Sequence, residues 1–92
     1  MANLRCESVT PGLRASEAVA AFTDLHGRKH FIRVERDFLS SKDGSSYLPI
    51  GIVHVDRKST CVLIELPHEA ETGANRLWVK PEQLDELVEE YA

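Results

Sequence analysis

His30-Phe31-Ile32-Arg33-Val34-Glu35-Arg36 decides the fold of this chain. Ile32 and Val34 point one way, while Phe31, Arg33 and Glu35 point the other. A strict period of two marks a strand with one face on a core and one face in water, the usual condition of antiparallel sheets. The residues before it, Asp24-Leu25-His26-Gly27, hold the glycine that a tight hairpin wants. The hairpin partner is then Ala18-Val19-Ala20-Ala21-Phe22. Alanine favours helix and Ser16 could cap one, but the turn and the alternating run beyond it favour strand.

Downstream, Ser40-Ser41-Lys42-Asp43-Gly44-Ser45-Ser46 has nothing to bury and reads as the most mobile internal segment. Two apolar strands follow, Leu48–Val55 and Thr60–Leu66, joined by the polar turn Asp56-Arg57-Lys58-Ser59. Leu48, Ile50 and Ile52 share one face; Val53 and Val55 share the other. Pro49 suits a strand entrance or an edge, and Gly51 suits a bulge or a close backbone approach. After the loop from Pro67 to Asn75 comes a short last strand, Arg76-Leu77-Trp78-Val79. Pro81 then opens a predicted C-terminal α-helix over 81–91, with Leu84, Leu87, Val88 and Tyr91 as its apolar stripe. Alternation therefore predicts a core built from Ile32, Val34, Ile50, Ile52, Ile64 and Val79. Residues 1–15 show neither period over a useful length. They read as a loosely ordered N-terminal arm, with room for a short strand around Leu4–Cys6, in front of a single domain over 16–92.

These elements predict a mainly β protein: a small five-stranded antiparallel barrel, or a strongly bent sheet, with a C-terminal helix. Over about residues 17–80 the order of strands resembles the SH3-like barrels. Ala21-Phe22-Thr23-Asp24 departs from the Ala-Leu-Tyr-Asp-Tyr stretch of true SH3 domains, and the paired tryptophans before the central strands are absent. The resemblance therefore implies no groove for proline-rich peptides.

Ninety-two residues make one domain, with 42% hydrophobic and 28% charged residues, which is ordinary for a globular chain. The net charge of −4 is uneven. Five of the fifteen acids, Glu82, Asp85, Glu86, Glu89 and Glu90, crowd into the last eleven residues, and the other ten face eleven bases. A nucleic-acid binder needs a cationic excess to meet phosphates, and this chain has none overall. Cys6 and Cys61 have no metal or redox spacing and read as two reduced thiols in a cytoplasmic protein. No apolar run nears the ~20 residues that cross a bilayer, so no membrane role is expected.

No local signature of catalysis is present: no Gly-x-Ser-x-Gly, no phosphate-cradling glycine loop, no His-Glu-x-x-His. No cofactor is implied. The reading is a non-catalytic interaction module, binding a protein partner or a second copy of itself through Trp78, Tyr47, Phe31 and Arg33 and the Ser40–Ser46 segment. The main alternative is a nucleic-acid-binding face of Arg28, Lys29, Phe31, Arg33 and Arg36, where cations would track phosphates and the ring would stack a base. The other is a small metal protein or enzyme on the histidines, with His26, His30 and Asp24 as ligands. That i,i+4 spacing is a helix signature and fits poorly across a β-turn.

Overall fold

The structure, a computed structural model, describes residues 2–85. It is mainly β, with eight strands in two antiparallel sheets. The strands are β1 Ala2–Arg5, β2 Ser8–Pro11, β3 Glu17–Thr23, β4 Lys29–Glu35, β5 Ser40–Lys42, β6 Ser45–Asp56, β7 Cys61–Glu65 and β8 Arg76–Val79. One sheet runs β1-β6-β7-β8, with β5 also on β6; the other runs β2-β3-β4. Eight strands replace the five expected, because segments 2–11 and 40–42 also pair, and among the described residues the two sheets do not close into a barrel.

Why these residues make these strands is clear at β4. Its burial alternates without a break, with His30, Ile32 and Val34 inside and Lys29, Phe31, Arg33 and Glu35 outside. Ile32, Val34, Ile50, Ile64 and Val79 meet in one core, and Ile52 packs at its margin. The β3–β4 turn is a three-residue loop whose last residue, Gly27, has φ 83°, a conformation that costs glycine no Cβ clash. The Asp24 carboxylate accepts from the His26 and Arg28 main-chain N–H groups and holds the turn in shape.

Four expectations need correction. The segment read as a loose arm supplies two strands. Ala2, Leu4 and Cys6 are buried, with Leu4 at 0% exposure, and β1 pairs with β6 from Ala2↔Ile50 to Arg5↔Tyr47. At Cys6 the chain still donates to Ser46, and at Glu7 it begins to donate to Ala21. One nearly continuous strand thus passes from the first sheet to the second. That crossing cuts each strand to four residues, which is why no long period shows in the sequence.

The Ser40–Ser46 segment is not a loose loop. Lys42 pairs with Ser45 across Asp43-Gly44, whose φ values of 52° and 82° are both positive, as a two-residue type I′ hairpin requires. Serine-rich β5 is exposed throughout, and pairing rather than burial holds it.

Third, Val53 and Val55 do not share a face. The ladder jumps from Ile52↔Ile64 to His54↔Leu63, so Val53 is an extra residue, and a bulge reverses the parity of every residue after it. Val53 is 39% exposed, whereas Val55 packs against the core.

Fourth, no α-helix starts at Pro81. Pro81–Gln83 form one 3-10 turn. The Gln83 side chain accepts from the Lys80 N–H and donates to the Thr23 carbonyl. Leu84, extended and buried, then bridges Leu4. Asp85 completes the clasp: its N–H donates to the Asn3 carbonyl, and its carboxylate accepts from the Asn3 main chain and amide. Burying Leu84 beside Leu4 outweighs the weak preference of so short a stretch for helix. Residues 86–91 of the predicted helix lie outside the described residues. No helix among the described residues is long and apolar enough to cross a membrane.

Candidate functional site

The structure divides the four residues expected to form one interaction surface. Phe31 and Arg33 stand on the outer face of β4 in the three-stranded sheet. Tyr47 and Trp78 belong to the other sheet. Tyr47 is paired on both edges, to Arg5 and to Ser40. Half-buried Trp78 lies opposite Leu63 with the His54 ring edge-on to it, centroids 6.2 Å apart. Tyr47 and His54 are seven residues apart on one strand, roughly 20 Å at the usual strand rise. Tyr47 and Trp78 therefore do not form one patch.

The basic-aromatic face is assembled, and three of its four cations have partners. Lys29 Nζ is 4.0 Å from a Glu7 carboxylate oxygen and 5.8 Å from the centre of the Phe31 ring. Arg33 pairs with Glu71 at 3.7 Å. Arg36 donates from Nε to the Ala15 carbonyl, at 2.9 Å, and secures the loop before β3. Arg28 stands exposed in the hairpin turn.

The feature that sequence reasoning missed is the free edge of β4. Asp24 donates to Arg28 at one end of the hairpin, and Arg36 donates to Ser16 at the other. In an antiparallel ladder these bonds recur every second residue. His30, Ile32 and Val34 therefore spend their main-chain groups on β3, and Lys29, Phe31, Arg33 and Glu35 aim theirs outward. Among the described residues one main-chain bond meets that edge, from the Glu71 N–H to the Phe31 carbonyl at 2.8 Å. Past that bond no described residue meets the Arg33 and Glu35 main-chain groups, which stand beside a groove of about 560 Å³. Val34 and Ala70 are its buried apolar floor, and Phe38, 43% exposed, also lines it. Glu17, Arg33 and Glu35 contribute from the sheet, and His68, Glu69 and Glu71 from the loop.

The loop that forms the far wall is anchored by His30. Its ring is 2% exposed and stacks on Phe22, centroids 5.6 Å apart. Nε2 lies 2.8 Å from the Asp24 carboxylate, and Nδ1 lies 2.7 Å from the Thr72 hydroxyl. An ionised carboxylate only accepts, so Nε2 donates to Asp24, while Nδ1 shares a hydrogen bond with the Thr72 hydroxyl. Burial alone would push the Asp24 carboxyl up. The hydrogen bonds from His30, Arg28 and His26, with the attraction of the His30 charge, outweigh it and hold the carboxyl below its usual value. A carboxylate, a buried imidazole and the hydroxyl of an exposed loop residue stand in line. Together they pin the Pro67–Asn75 loop to the β3–β4 hairpin. Both ring nitrogens of His30 are hydrogen-bonded; His26, His54 and His68 lie elsewhere on the surface, and no group of three metal-ligating side chains forms among the described residues. Only the short spacing from Asp24 to His30 hinted at this contact, and nothing local marked Thr72, which is 42 residues away.

Both cysteines are buried and free. Burial raises the Cys6 thiol to about 11, which removes it from thiolate chemistry near neutrality. No protein-family model, curated protein or solved structure matches this chain.

Proposed function

We propose that this protein is a non-catalytic interaction module that takes an extended segment of a protein partner as an added strand on β4. The observation that carries the reading is the pair of unpaired main-chain positions, Arg33 and Glu35, bordering a groove with an apolar floor. An exposed strand edge is a template for another chain. Strand addition takes affinity from main-chain bonds and specificity from pockets that meet alternate side chains. The Glu71–Phe31 bond supports it, since this edge already accepts a main-chain donor.

The plan of the fold is proposed to be SH3-like. A hairpin, a connector, two central strands and a brief last strand are followed by a 3-10 turn, and Leu84 returns to the first strand. Two free, buried thiols fit a reducing compartment such as the cytoplasm. The engaged state of Lys29, Arg33 and Arg36 argues against the nucleic-acid alternative.

A proline substitution tests the reading. At an edge strand proline removes only an outward N–H, so Arg33→Pro abolishes the proposed donor while the β3 ladder remains. Arg33→Ala loses the same side chain but keeps that N–H. Peptides selected from a random extended library should lose at least tenfold in affinity for Arg33→Pro, and less than threefold for Arg33→Ala, because an exposed ion pair contributes only ~0–1 kcal/mol. Equal affinity for the two variants, with folding verified by circular dichroism, would sink the proposal.

A further inference from the structure

We infer that the segment received on β4 is cationic, with basic side chains alternating with apolar ones; this rests on the strand-addition reading. Glu17 and Glu35 are direct cross-strand partners on the outer face of β3 and β4. Like charges in that position repel, and neither has an ion-pair partner among the described residues. Glu69 and Glu71 line the same groove, and Arg33, the only guanidinium among its described lining residues, is already on Glu71. The groove therefore presents more carboxylate than it can neutralise.

The pleat says where the charges of the occupant belong. On a strand laid against β4, the residue opposite Glu35 shares its outer face, within reach of Glu35 and towards Glu17. The next residue turns inward over Val34 and Ala70, with Phe38 beside it, so an apolar side chain belongs there. Cation, apolar, cation is the pattern that meets both the carboxylates and the floor. A second copy of β4 satisfies it poorly, because it brings Glu35 as well as Arg33 to the same short edge.

Acetyl-Thr-Val-Lys-Phe-Lys-Val-amide is a suitable probe, with counterparts in which both lysines become glutamine or glutamate. Affinity is read by fluorescence anisotropy, and location by the amide shifts of Arg33 and Glu35. The lysine peptide should bind about tenfold tighter than the glutamine peptide and move both amides, and this advantage should shrink at high salt. The double variant Glu17→Gln/Glu35→Gln should lose most of that advantage. Its melting temperature should be at or above the parent's, since the repelling pair is gone. If the glutamine peptide binds as tightly and moves the same amides, the added strand stands and the cationic inference falls. If no peptide moves either amide, both fall. If the protein alone is a dimer with those two amides protected, the occupant is a second copy and the inference is overturned.

Discussion

Leu4→Ala is expected to cost about 2–5 kcal/mol, the range for truncating a buried leucine where a cavity is left. A domain of this length has only about 5–14 kcal/mol to lose. Leu4 is fully buried on the first strand, joins the common core, and is bridged by Leu84 from the far end of the described chain. Neighbouring side chains come from both sheets, so collapse into the space left is limited. Arg5→Ala, one residue on and exposed, should stay within about 0.5 kcal/mol. Urea unfolding followed by fluorescence measures both. Equal midpoints for the two variants would show that the N-terminal strand is not part of the cooperative unit.

Asp24→Ala is the second large effect, at about 2–3 kcal/mol, because it leaves a buried donor without an acceptor. The lost carboxylate serves His30 Nε2, which has no access to water, and the two main-chain N–H groups that shape the hairpin turn. The same site predicts a pH dependence. A carboxyl whose folded pKa is depressed contributes stability that is complete above its unfolded pKa, near 3.8. That contribution is lost as pH falls through the lower folded value. Asp24→Asn cannot titrate, so between pH 7 and pH 3 it should lose less stability than the parent. Parallel losses for the two proteins would place the acid sensitivity elsewhere.

How much of this was legible in the sequence depends on the range of each interaction. The β3–β4 hairpin could be read because Gly27, the alternation of Ile32 and Val34, and the Ala-Phe strand all act within a few residues of one another. The Arg76–Val79 strand was equally plain. The N-terminal strand carried a signal, since Ala2, Leu4 and Cys6 alternate with Asn3, Arg5 and Glu7. Alanine and cysteine gave it too little hydrophobic weight, and the change of sheet at Glu7 cut it short. Asp43-Gly44 is a strong hairpin pair, but the serines around it read as a loop because β5 is held by main-chain pairing alone. The predicted helix start at Pro81 misled for a different reason: Leu84 fits an apolar stripe, yet its partner Leu4 lies 80 residues earlier in the chain.

The candidate site was the least legible part. Phe31 and Arg33 stand out as surface residues on β4; of the two, Arg33 lines the groove and Phe31 does not. The groove itself is made by the direction of main-chain groups and by a loop pinned through Thr72. Neither is written in any side-chain pattern. Which edge of a strand stays free is a property of the sheet.

Hydrogen exchange of the β4 amides in the isolated protein tests that free edge most directly. His30, Ile32 and Val34, bonded to β3, should exchange slowly, while Arg33 and Glu35 between and beside them should exchange orders of magnitude faster. Protection of Arg33 and Glu35 equal to that of Val34, in a monomer without ligand, would contradict it.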